Sequence, residues 1–173
     1  METIILGGGC FWCLDAIFQR VMGVEKLISG YSGGQTKNPT YKEICTGNTG
    51  HAEVLKIEFE NIKISLDEIL DIFWQIHDPT TLNRQGNDVG TQYRSVIYYM
   101  EKSQETIIKN LLKNFENLTF YKNPIITEIK QLDKFYSAED YHQDYYKNNS
   151  TQPYCSFVIH PKIKKFEEMI KKK

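Results

Sequence analysis

Two cysteines, Cys10 and Cys13, follow directly on three glycines in Gly7-Gly8-Gly9-Cys10-Phe11-Trp12-Cys13. The run Thr3-Ile4-Ile5-Leu6 before them is apolar and the stretch after them is amphipathic, which predicts a strand, a glycine turn and a helix that opens at Cys10. A helix N-terminus presents unpaired N–H groups and the positive end of its dipole, so a thiolate is favoured there and Cys10 is the candidate nucleophile. Glycine lets the backbone take positive φ and lets a substrate come close. Phe11 and Trp12 put two large apolar surfaces beside the sulfur, suited to a small apolar group. The plainer alternative is a core cysteine flanked by core aromatics.

A sulfur nucleophile that displaces an oxygen needs a proton donor. Residues 31–51 include Tyr41 and lead into Gly50-His51-Ala52-Glu53, and residues 78–93 contain Gly86-Asn87-Asp88 and end in Tyr93. Loops of this length inside a compact domain are usually functional. With Cys10 they supply a thiolate, two phenols and carboxylates, enough for general-acid assistance to a departing oxygen. A carboxyl buried against Phe11 and Trp12 would have its pKa raised by desolvation and would keep a proton near neutrality. Taken singly, Glu53 fits an exposed strand residue, and Tyr41 and Tyr93 fit simple packing in a chain with 11 tyrosines.

The elements that position these groups follow from periodicity. A helix from Cys10 to about Val21 puts Leu14, Ile17, Phe18 and Val21 on one face and stops before Gly23. Val24–Ser29 is the next strand, with Tyr31-Ser32-Gly33-Gly34 as a turn. Glu53–Glu60 alternates as a strand with one wet face, and the capping box Ser65-Leu66-Asp67-Glu68 opens a helix that runs to about His77. Arg94–Met100 is a further strand. This order is that of a ferredoxin-like split βαβ core in an α+β two-layer fold. A helix at Ser103–Asn117, a strand at Ile125–Leu132, a short helix at Ala138–Tyr146 and a terminal helix read as additions to it, with an irregular C-terminal tail.

The chain of 173 residues, with a formal net charge of −1, is expected to form a single domain over 1–173 and to have no electrostatic affinity for nucleic acid or membrane. The Lys-rich stretch Lys162–Lys173 carries Ile163, Phe166, Met169 and Ile170 at helical spacing, so its lysines are read as a solvated face. No apolar run approaches the ~18 residues of a membrane span, and Met1-Glu2-Thr3 does not open a signal peptide, so a cytoplasmic location is expected. Four cysteines are too few for a disulfide scaffold, and the four histidines lack ligand spacing, so no metal is expected. His51 and His142 are read as packed supports and Cys45 as a buried structural cysteine.

Gly9-Cys10-Phe11-Trp12, Gly50-His51-Ala52-Glu53 and Gly86-Asn87-Asp88 with Gly90-Thr91-Gln92-Tyr93-Arg94-Ser95, in this order, resemble peptide methionine sulfoxide reductase A. Ser29-Gly30-Tyr31-Ser32-Gly33-Gly34 and Ala138-Glu139-Asp140-Tyr141-His142-Gln143 extend the resemblance to about Pro161. It implies reduction of methionine S-sulfoxide, free or in proteins, by attack of Cys10 on the sulfoxide sulfur. Phe11 and Trp12 would hold the methyl group, Glu53 would protonate the oxygen with Tyr41 and Tyr93 as donors, and Asp88 would orient the substrate. Cys10 would be left as a sulfenic acid. No bound cofactor is implied; the electrons would come from thioredoxin, and the protein would be a monomer. The resolving thiol is open: Cys155, in Gln152-Pro153-Tyr154-Cys155, stands where many members carry the recycling cysteine, whereas many have glycine at the position of Cys13. The two are read as joint participants in a disulfide relay. Two other classes compete, a general thiol oxidoreductase built on Cys10 and Cys13 and an aromatic-lined module for methionine-rich peptides. Neither needs a proton donor for oxygen.

Overall fold

A computed structural model describes residues 1–118 and 121–172. The first half runs β1 (Glu2–Gly7), α1 (Phe11–Phe18), β2 (Val24–Ser32), α2 (Tyr41–Cys45), β3 (Ala52–Phe59) and α3 (Leu66–Ile76). A two-stranded ribbon, β4 (Arg84–Gln85) and β5 (Asp88–Val89), leads to β6 (Val96–Tyr99). Then come α4 (Lys102–Asn117), β7 (Glu128–Gln131), β8 (Phe135–Ser137), α5 (Tyr145–Asn149) and α6 (His160–Lys171).

The main sheet has the order β7-β6-β1-β3-β2-β8. Its inner strands β6, β1, β3 and β2 pair antiparallel throughout, which is the split βαβ arrangement expected from the element order. One face carries Ile4, Leu6, Leu55, Ile57 and Phe59, which pack in a single core with Leu14, Ile17 and Phe18 of α1 and Ile69, Leu70 and Phe73 of α3. The other face has a small apolar cluster of its own, Ile5, Ala52, Val54, Val96 and Tyr98, covered by Met100, Leu132 and Phe135. The first half of β3 is therefore buried on both sides. Its wet face is confined to Lys56 and Glu58, and Glu53 lies in the dry half. The capping box at Ser65 and Glu68 forms in both directions, so α3 starts where its sequence signals it.

The structure corrects four expectations. Tyr31 and Ser32 are not turn residues: they extend β2 and pair with Tyr136 and Phe135 of β8, and the chain turns only at Gly33, where φ is +92°. The helix expected over Ala138–Tyr146 is absent. Residues Asp140–His142 make a single 3-10 turn, and the Gln143 side chain bonds both the N–H and the C=O of Ser29, fastening the segment to β2. Asp144 then takes φ +52°, which breaks the backbone before α5. α1 ends at Phe18, short of Val21. The tail is not irregular: a π turn at Cys155–Ile159 runs directly into α6, which begins at His160. Lys173, the last residue of the expected terminal helix, lies outside the described residues.

Gly30 fixes how closely β8 approaches β2. A Cβ there would come within 2.6 Å of the Phe135 ring and 2.5 Å of the Tyr136 carbonyl oxygen. Gly30→Ala is therefore expected to lower stability by about 1–3 kcal/mol through overpacking. A fall in the urea midpoint at constant slope checks this.

Candidate active site

Gly9 has φ +93°, the left-handed turn that carries the chain from β1 into α1, and Cys10 is the N-cap of α1. The N–H of Phe11, an unpaired donor of the first turn, is taken by the Glu53 carboxyl at 3.2 Å. The N–H of Trp12 is directed at the Cys10 sulfur. A helix start thus binds a carboxyl and a thiol side by side.

Glu53 is only 1% exposed. Burial, opposed only in part by the Phe11 N–H, pushes its pKa from 4.5 to about 8, and the nearby charges of Asp88 and Cys13 push in the same direction. The carboxyl therefore holds a proton at neutral pH. Its second oxygen, Oε2, is buried with no protein partner, so that a proton there has nowhere to go except to a guest.

Tyr41 opens α2, whose start is fixed by a capping box between Thr40 and Glu43. Its backbone N–H is held by Glu139 at 2.9 Å, and the other oxygen of Glu139 accepts from the Tyr31 hydroxyl at 2.9 Å. Tyr93 closes a 3-10 turn, Thr91–Tyr93, just before β6. Burial first and the charge of Glu53 second raise the pKa of both phenols. Each stays a donor across the physiological range.

The aromatic neighbours of Cys10 have distinct surroundings. Phe11 is fully buried against Tyr31 and His142, with centroid separations of 5.8 and 5.1 Å. Trp12 is half-buried. Tyr145 stacks on its face at 3.6 Å and Tyr154 meets it edge-on at 5.7 Å. The Trp12 indole N–H donates to Nδ1 of His142 at 3.1 Å, so the neutral imidazole carries its proton on Nε2. The C-terminal segment that supplies Tyr145 and Tyr154 thus forms one wall of the site. Tyr154 reaches further in, donating to Asp88 at 2.7 Å and lying 3.9 Å from the Cys13 sulfur.

The protonation of the cysteines differs from expectation. Burial raises the Cys10 thiol well above its ordinary range, reinforced by its hydrogen bond to Cys13 and the charge of Glu53, and the helix terminus does not offset this. Cys13 receives that hydrogen bond and has the Lys162 ammonium 3.6 Å from its sulfur. Its pKa falls to about 7, with the Cys10 bond as the largest cause. The pair thus ionises first on Cys13, with Cys10 keeping the shared proton. Cys155 is fully buried, and the negative charge of Cys13 adds to burial in raising its pKa. Cys10 and Cys13 are hydrogen-bonded to each other, and Cys155 lies near enough to feel the charge of Cys13. All four cysteines are free thiols.

Cys45 is exposed, not buried, because it lies on the outer side of the short α2, whose one buried residue is Ile44. His51 supports its loop as expected, accepting from Gly34 N–H and bonding the Thr36 carbonyl. Among the described residues no cluster of three or more His, Cys, Asp or Glu side chains could hold a metal ion. Three side chains in the site were missed by sequence reasoning, Tyr145, Tyr154 and Lys162. A signal for Lys162 existed: it lies three residues after Ile159 and four before Phe166, both buried, so it sits on the apolar stripe of its helix and not on the solvated face.

Comparison with known proteins agrees with this geometry. The family model for peptide methionine sulfoxide reductase matches residues 2–173. The peptide methionine sulfoxide reductase MsrA of Trichodesmium erythraeum is 52% identical over 168 residues, covering 97% of this chain and 95% of its own. The crystal structure of Mxr1 from Saccharomyces cerevisiae in reduced form superimposes with a TM-score of 0.83 at 33% identity, over 89% of this chain and 88% of that one. Mxr1 in complex with Trx2 shares the fold at a TM-score of 0.59 and 23% identity, over 83% and 84% of the two chains. A proton-bearing carboxyl and a cysteine pair at one helix start, on a chain matched over nearly its whole length, place this protein in the peptide methionine sulfoxide reductase family.

Proposed function

We propose that this protein reduces the S epimer of methionine sulfoxide, free or within proteins, through Cys10 and Glu53, and that Cys13 is the first resolving thiol. The observation that supports this most directly is Glu53, a buried carboxyl protonated up to about pH 8, with one oxygen on the Phe11 N–H and the other unpartnered. A sulfoxide oxygen is a poor leaving group until it gains a proton. A donor in a dry site supplies one where it counts most.

Cys10 starts as the thiol. On substrate entry it passes its proton along the existing hydrogen bond to Cys13, and the thiolate so formed attacks the sulfoxide sulfur while Glu53 protonates the oxygen, assisted by the Tyr41 and Tyr93 hydroxyls. Oxygen transfer leaves methionine and Cys10 as a sulfenic acid. Phe11 and Trp12 flank the reacting sulfur and exclude water from the methyl group, and Asp88, oriented by Tyr154, binds the polar part of the substrate. Cys13 then attacks the sulfenic sulfur: an S–S bond forms, the S–O bond breaks, and hydroxide leaves as water with the Cys13 proton. Cys155, buried and near enough to feel the Cys13 charge, then takes over the disulfide by thiol exchange. An external dithiol of the thioredoxin class restores the thiols. No bound metal or organic cofactor has a part in these steps. The domain acts as one unit over 1–173, as a cytoplasmic monomer, and no helix among the described residues is long and apolar enough to cross a membrane.

The test is a single turnover without reductant. Two thiols should disappear for each methionine formed, and peptide mapping should find Cys10 joined to Cys13 before any bridge to Cys155. Cys13→Ser should still form one methionine per protein and leave a sulfenic acid that dimedone captures. A first disulfide between Cys10 and Cys155 in the unmodified protein would overturn the assignment of Cys13.

A further inference from the structure

Lys162 is the one side chain of α6 shown to reach the cysteine pair. It leaves the helix on the side of Ile159, Ile163 and Phe166, all buried, is itself partly buried, and its ammonium lies 3.6 Å from the Cys13 sulfur. The charged and titratable groups that face Cys13 come from several elements: Cys10 at the start of α1, Glu53 on β3, Asp88 on β5, Tyr154 and Cys155 ahead of α6, and Lys162 itself. Glu53 and Asp88 are carboxyls and Tyr154 is a phenol. Lys162 is the only permanent positive charge in this group.

We propose that Lys162 is a positioning residue for resolution: its ammonium holds the negative charge of Cys13, so that the thiol next to the newly formed sulfenic acid is the one ready to attack. This rests on the reading of Cys13 as first resolving thiol. The proposal also explains the choice between the two candidates, since Cys155, without a cation, has its thiol raised by burial and by the charge on Cys13. In the resolution step Cys13 gives up the proton it took from Cys10, with the ammonium holding the charge that develops, and supplies the electron pair for the S–S bond; the sulfenic S–O bond breaks and the oxygen leaves as water with that proton. Lys162 forms and breaks no bond. The Lys162 charge also bears on His77, whose pKa burial has already lowered to about 4, so that this imidazole is neutral and does not compete for the thiolate.

The experiment compares the full chain with Lys162→Met and Lys162→Arg, using free methionine sulfoxide in a single turnover without reductant. Loss of dimedone-reactive sulfenic acid is followed from pH 5.5 to 9.5. Removing the cation should move the midpoint of the resolution rate to higher pH by about one unit, equivalent to a tenfold weaker acid. A less acidic thiol is also the stronger nucleophile, with a Brønsted slope of about 0.4–0.5, so the Met variant should be slower below neutrality and about threefold faster on the alkaline plateau. The two profiles should cross. Lys162→Arg should restore the wild-type midpoint. A Met variant whose profile superimposes on the wild type, or is lowered equally at every pH, overturns the proposal. If the wild-type disulfide does not join Cys10 to Cys13, the reading of Cys13 falls first and the role of Lys162 falls with it. That outcome is seen by peptide mapping before any pH profile is measured.

Discussion

Cys10→Ser should show no methionine formation above the uncatalysed background, even with excess dithiothreitol present to bypass recycling. The reason is the acceptor atom. Oxygen transfer to a thiolate makes a sulfenic acid, whereas transfer to a serine oxygen would have to make a weak O–O bond. The rest of the site, the proton on Glu53 and the two phenols, cannot substitute, because none of these groups takes an oxygen atom. Single-turnover chromatography of free methionine reads the result. Any Cys10→Ser protein that produces methionine at a measurable fraction of the wild-type rate removes the assigned nucleophile, and Cys13, the neighbouring thiol, would become the candidate.

Glu53→Gln has the next largest effect, a fall in the rate of methionine formation of about 10²- to 10⁴-fold, the usual range for loss of a positioned general acid. Glutamine has the same shape, can accept the Phe11 N–H and can still donate from the position of Oε2, but it cannot transfer a proton. Substrate binding should change little. The pH profile separates this role from a packing role: the wild-type rate should fall above about pH 8 as the carboxyl ionises, and the variant should lack that limb. Stability should move the other way. The folded-state pKa of about 8 lies above the ordinary 4.5, so between these values the native state holds a proton that the unfolded chain releases. Stability contributed by this group is whole below pH 4.5 and is lost as pH rises through 8, by a few kcal/mol at most, on the order of 1.36 per pH unit. Glu53→Gln should therefore gain stability relative to wild type at pH 9 and gain little at pH 5, read from urea midpoints. An equal change at both values would mean that the Glu53 carboxyl ionises in the folded protein as it does in the unfolded chain, with no raised pKa.

The parts of this fold governed by local rules were legible in the sequence. β1 could be read from its apolar run, β3 from alternation and α3 from a capping box, and the order of the core strands followed from the succession of elements. The parts governed by a distant partner were not. Tyr31 and Ser32 stand next to two glycines and look like a turn until β8 is there to pair with them. The stretch around His142 has helical composition, but the Gln143 amide finds both backbone groups of Ser29, and that pair of bonds replaces the helix. The site shows the same division. Cys10 and Cys13 could be singled out by their type and neighbours, whereas Glu53, which taken singly fits an exposed strand residue, is reached through the family resemblance; its burial explains its proton. The distribution of charge between the cysteines could not be read from their spacing, because it depends on how completely Cys10 is desolvated and on a lysine 149 positions away from Cys13 in the chain.

Tyr154 touches Asp88 with its hydroxyl and is the residue immediately before Cys155. Cys155 has no exposed surface, so the phenol on the aspartate and the buried sulfur share one short stretch of backbone. One adjacent pair of residues thus ties the innermost of the sulfurs to the carboxylate placed beside the cysteine pair, so whatever disturbs the one is felt by the other.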